Sequence, residues 1–119
     1  MIISISQQSK LAELLDARFI DRMAQMLLDR QEPNQQQPID HLRLDVKRMV
    51  QKAQQYGMNT ERDAAGFVVT AFLLGEDFDR QFPAAGPVLQ SNALSGEDKA
   101  AWLANWTTEM FQTLEEDKK

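Results

Sequence analysis

Residues 64–74 read Ala-Ala-Gly-Phe-Val-Val-Thr-Ala-Phe-Leu-Leu, an eleven-residue run without a charged side chain. No other segment constrains the chain as strongly. A bilayer span needs about 20 apolar residues, so this run has to be buried inside protein. Thr60 precedes it and can cap free helix N–H groups, while Glu61 and Asp63 complement the dipole of a first helical turn. Gly75 closes it, as glycine often closes a helix. A helix beginning at Asn59 or Thr60, ending at Gly75 and apolar on nearly every side belongs at the centre of a bundle. Val68-Val69-Thr70 leaves a buried strand as the competing reading, but the cap, the glycine and the length favour helix.

The flanking sequence supplies partners for such a helix. Leu11, Leu14, Leu15, Phe19, Met23, Met26 and Leu27 recur in steps of three and four, which predicts a first helix from about Ser6 or Ser9 to Arg30. Gln31–Pro38, with Pro33, Gln35-Gln36-Gln37 and almost nothing apolar, predicts a flexible loop. Pro38 suits the first position of a second helix, whose stripe is Ile39, Leu42, Val46, Met49, Val50, Ala53 and Tyr56. Gly57 ends it, and Met58 can fold back on the last turn. Glu76–Pro87 looks irregular, followed by a short helix over Pro87–Asn92. A last helix starts at Ser95, with Glu97 and Asp98 in its first turn and Leu103, Trp106, Met110 and Leu114 as its stripe. The charged tail 115–119 is expected to fray. The sum is an all-α bundle of four main helices and one short one, in a single domain over residues 1–119.

Composition removes several function classes. The 119 residues hold no Cys and one His, His41, so thiolate chemistry and multi-His metal sites are excluded. A net charge of −5 opposes binding to a phosphate backbone. The start, Met-Ile-Ile-Ser-Ile-Ser, has no basic region and too short an apolar stretch for a signal peptide, so a cytoplasmic protein is expected. No nucleophile elbow or Gly-rich phosphate loop is present, and neither a cofactor nor a membrane partner is expected.

Two constellations remain. Glu76-Asp77-Phe78-Asp79 gathers carboxylates directly after the apolar helix. It holds only an Asp-x-Asp fragment of a calcium loop. The simplest reading is a solvated loop with Phe78 and Phe82 plugging the core. A partner-binding loop is the sharper one, because aromatic anchors beside acids suit an interface. Trp102 and Trp106 are four apart and share one side of the last helix. Trp106 is expected in the core and Trp102 towards solvent, where a Trp serves as a binding hot spot. Asp77, Phe78, Asp79, Phe82 and Trp102 are therefore the expected contact residues of a non-enzymatic binding module.

The segment Tyr56-Gly57-Met58-Asn59-Thr60-Glu61-Arg62-Asp63, the apolar helix, and Leu74-Gly75-Glu76-Asp77-Phe78-Asp79 together resemble a group of small helical bacterial proteins. These are encoded beside type VI secretion spike, PAAR-type or effector genes in Gram-negative bacteria. Phe19, Arg22-Met23, Pro83, Leu89 and Leu94-Ser95 fit the same layout, so the resemblance covers most of the chain. It departs at Met58, where Ile is usual, and at Gly86-Pro87-Val88, where a Trp-containing segment is usual. The resemblance implies an adaptor or chaperone that holds a secretion effector or spike protein before loading. An immunity protein neutralising a cognate toxin is the alternative. Outside that resemblance stand a small hydrolase or metal-dependent enzyme using Glu76, Asp77 and Asp79, and a homodimer burying Trp102 against itself.

Overall fold

A computed structural model describes residues 16–117, with side chains through residue 113. Its helices are α1 (Ala17–Arg30), α2 (Ile39–Gln55), α3 (Glu61–Leu74), α4 (Phe78–Gln81), α5 (Ala85–Gln90) and α6 (Gly96–Asp117), with a 3-10 turn at Pro33–Gln35. The described residues contain no strand, so the fold is all-α and the strand reading of 67–74 falls away. None of these helices is long and apolar enough to cross a membrane.

The apolar helix holds the architecture together. α3 packs against α1, α2 and α6, and α1 also packs on α2. Ala64, Phe67, Val68 and Ala71 are buried, and Ala65, Val69, Phe72 and Leu74 are half-buried. The core around them takes Phe19, Met23 and Leu27 from α1, Leu42, Val46, Met49 and Val50 from α2, and Leu103 from α6. Each outer helix contributes one stripe, while α3 contributes nearly its whole circumference.

The boundaries follow from local hydrogen bonding. At the end of α2, Gly57 takes a positive φ of 81°. Its N–H donates to the carbonyl of Gln54, at 3.0 Å, and the N–H of Met58 donates to that of Ala53, at 2.9 Å. This pairing consumes two orphan carbonyls and drops the Met58 side chain into the core, fully buried. Two residues later the Thr60 hydroxyl accepts from the N–H of Asp63, at 3.1 Å, and starts α3. Gly75, with φ at 107°, ends it. Ser95 and Asp98 form a reciprocal box at the start of α6: the Asp98 N–H donates to Ser95 Oγ at 3.0 Å, and the Ser95 N–H to Asp98 Oδ2 at 3.3 Å.

Three expectations need correcting. α1 does not run unbroken from Ser6 or Ser9, because Asp16 is extended and its carboxylate accepts from the Arg18 N–H at 2.7 Å, which makes it the cap. Leu11, Leu14 and Leu15 of the expected stripe lie outside the described residues. Glu76–Pro87 is more regular than expected and includes α4. The short helix after it starts two residues before Pro87, which lies in the first turn of α5, where the missing N–H leaves no bond unmade. Between α1 and α2 the glutamines close the loop on itself. Gln31 Oε1 accepts from the Gln37 N–H at 2.9 Å, and Gln31 Nε2 donates to Gln37 Oε1 at 2.9 Å. α6 continues to Asp117, and the last two residues of the tail lie outside the described part.

Candidate partner-binding site

The stretch after α3 divides into an inside and an outside. Phe78 is fully buried, and its ring centroid lies 5.1 Å from that of Phe67. This plug turns α4 inward and carries Asp79 with it. The Asp79 side chain is 1% exposed, with Lys52 Nζ donating to Oδ1 at 2.8 Å and the Tyr56 hydroxyl donating to Oδ2 at 2.5 Å. Lys52 Nζ also donates to the Glu76 carbonyl, at 2.8 Å, and lies 3.7 Å from Asp77 Oδ1. Lys99, at the start of α6, donates from Nζ to the Tyr56 carbonyl at 2.7 Å. The end of α2 is therefore tied to α4 through side chains and to α6 through its last carbonyl.

The electrostatics match a structural tie. Burial by itself would raise the Asp79 pKa, but hydrogen bonds from Lys52 and Tyr56, and the Lys52 charge, outweigh it and hold the carboxyl below its ordinary range. Burial and the bond to that carboxylate push the Tyr56 phenol up to about 12. A general acid requires the opposite shift in its carboxyl. The neighbouring acids are engaged or open: Glu76 accepts from Arg48 at 3.1 Å, Arg48 also bonds Asp45, and the Asp77 side chain is 62% exposed. Among the described residues no three His, Cys, Asp or Glu side chains are grouped to hold a metal. His41 is exposed in the first turn of α2.

The outside is an aromatic strip. Trp106 stacks on Trp102 with centroids 5.1 Å apart and meets the edge of Phe82 at 5.5 Å. Behind it lies Phe78, at 6.3 Å. Phe82, Trp102 and Trp106 are each half-buried, so their inner faces complete the core while the rest meets solvent. Of the expected contact residues, then, Asp77, Phe82 and Trp102 reach the surface, whereas Phe78 and Asp79 are enclosed. As surface contacts those two are corrected: Phe78 is held by the core and Asp79 by Lys52 and Tyr56. Trp106 joins the strip from a position expected in the core. The four-residue spacing to Trp102 was the available signal, since it puts both indoles on one face.

A second concavity had no signal in the sequence. Between α1, α3 and α6 runs an open groove of about 610 Å³, lined by Met23, Met26, Val69, Leu73, Thr107 and Phe111 among others. It is nearly all apolar.

Compared with known proteins, the chain matches no family model, no curated protein and no solved structure.

Proposed function

We propose that this chain is a non-enzymatic protein-binding accessory protein of the bacterial cytoplasm, an adaptor or chaperone for a type VI secretion effector or spike protein. The observation that carries the binding reading is the strip of Phe82, Trp106 and Trp102, three aromatic side chains packed on one another and left half in solvent. Indoles of this kind form the energetic centre of interfaces, because a large rigid surface is desolvated at low entropic cost. Asp77 and the net charge of −5 favour a partner whose contacting face is basic. The sequence resemblance at the two helix junctions, Tyr56–Asp63 and Leu74–Asp79, supports the secretion context.

The test is co-purification from the native host of the tagged chain and of its Phe82→Ala/Trp102→Ala variant. The expected result is a secretion effector or spike protein retained in near-stoichiometric amount by the first and lost by the second, while both show the same helical circular dichroism. A chain that retains no partner overturns the reading. If the retained protein is a toxin whose activity stops on binding, the immunity role replaces delivery.

A further inference from the structure

α6 differs from α1 and α2 in how its charges are matched. On those two helices Arg22 pairs with Glu61, Arg43 with Asp21 and Asp40, and Arg48 with Asp45 and Glu76. Between Gly96 and Thr113, α6 carries Glu97, Asp98 and Glu109 as exposed carboxylates and Lys99 as its one basic residue. Lys99 is turned inward: it is 6% exposed, and its Nζ donates to the Tyr56 carbonyl at 2.7 Å. Among the described residues none of the three carboxylates has an ion-pair partner, and that of Asp98 accepts only from the Ser95 N–H, at 3.3 Å. The outward side of α6 is therefore acidic and uncompensated.

Two of these acids border the aromatic strip. Asp98 stands four residues before Trp102 and Glu109 three after Trp106, so on an unbroken helix all four share one face. The row is about 16 Å long at the helical rise. Its indoles are held in place, stacked at 5.1 Å, with the edge of Phe82 against Trp106 at 5.5 Å. A surface arranged in advance loses little rotamer freedom on binding. Trp106 meets the rings of Phe78, Phe82 and Trp102, whereas Trp102 meets that of Trp106 alone, so Trp102 is the open end of the strip, on the Asp98 side. An indole face attracts a cation, and a carboxylate pairs with one. A guanidinium suits both, because it is planar, stacks on aromatic rings and bonds a carboxylate through two N–H groups; an ammonium is a compact, more strongly hydrated point charge. Among the described residues the cation set over an aromatic ring is Arg22 over Phe19, at 5.9 Å, on a different helix.

We infer that the strip receives an arginine-bearing segment of a protein partner, with a guanidinium on Trp102 and the carboxylates of Asp98 and Glu109 as its counter-charges. This deepens, and rests on, the partner reading of Phe82, Trp102 and Trp106.

Trp102 and Trp106 are the chain's two tryptophans, so indole emission reports on the strip directly. The probe is a twelve-residue peptide of repeated Arg-Ala-Leu, titrated into the full-length protein. Its control carries citrulline, the neutral isostere of arginine, at every Arg position. The expected result is a saturable change in emission with the arginine peptide and none with the citrulline peptide. Glu109→Gln, an exposed change that leaves the core intact, should weaken the affinity about two- to fivefold. Added salt should weaken it too. The arginine assignment is overturned by no response to the arginine peptide, by equal responses to the two peptides, or by an unchanged affinity in Glu109→Gln. The partner reading fails separately, when the tagged chain retains no protein from its host.

Discussion

α3 and α6 each present two faces, and the two are finished differently. On one, Phe67 and Trp106 meet Phe78, and the end of α2 is fastened by Asp79, Lys52 and Tyr56. Aromatic centroids there stay within 6.3 Å, and the buried carboxylate has a donor at each oxygen. On the other, Val69 and Leu73 face Thr107 and Phe111 across an open groove, and the Thr107 hydroxyl has no partner among the described residues. The same two helices thus carry a locked face and an unfinished one. The contrast teaches that the α2–α4 junction joins close aromatic packing to a fully paired buried carboxylate, whereas the groove leaves apolar side chains of α3 and α6 open.

The sharpest way to break this contrast is truncation on both faces. Phe78→Ala should lower the unfolding free energy by about 3–5 kcal/mol, as large-to-small core changes do. Leu73→Ala, already partly in solvent, should lower it by less than about 2 kcal/mol. Urea melts of the two variants check this, and equal losses would erase the distinction.

Next in size is the tie itself. Asp79→Ala takes the acceptor from the half-buried Tyr56 phenol and one of the acceptors from the half-buried Lys52 ammonium, and should cost about 2–3 kcal/mol. It also carries a pH signature. The folded carboxyl lies below its ordinary 3.8, so its stabilisation is complete above that pH and lost as pH falls through the lower folded value. Tyr56 works in the opposite direction. Its phenol is raised from 10.0 to about 12, so its contribution is complete below pH 10 and lost as pH rises through about 12. Stability measured against pH should therefore differ from the native chain at the acid end for Asp79→Asn and at the alkaline end for Tyr56→Phe.

A smaller effect tests how closely the junction is packed. A Cβ at Gly96 would stand 2.6 Å from the Gly57 carbonyl oxygen, so backbone has to shift. Gly96→Ala should cost about 1–3 kcal/mol in thermal or urea unfolding. The smallest is Thr60→Ala, which removes the cap of α3 and should cost about 1 kcal/mol. If Gly96→Ala proved neutral, the α2–α6 approach would be looser than its geometry implies.

The local devices were legible in the residues. Gly57 with Met58, Thr60 with Asp63, and Ser95 with Asp98 act over three to five positions, so their hydrogen bonds are implied by spacing alone. The uncharged run 64–74 likewise required burial wherever it lay. Asp79 was not legible as an inner residue. Its partners Lys52 and Tyr56 are 27 and 23 positions away, and an acid next to Asp77 after a glycine reads as solvated until that pairing is known. The break at Asp16 was hidden because the Leu11-to-Leu27 periodicity passes through it without a gap.

The sequence by itself determined that the chain makes helices, where most of them stop, and which one is central, since propensity, capping and apolar spacing act between near neighbours. Only the tertiary structure decided which of the expected contact residues face outward, that Trp106 joins Trp102 and Phe82 in one strip, and that a groove opens between α1, α3 and α6. Those outcomes depend on how three or four helices cross, and crossing is set by the summed packing of side chains far apart in the chain.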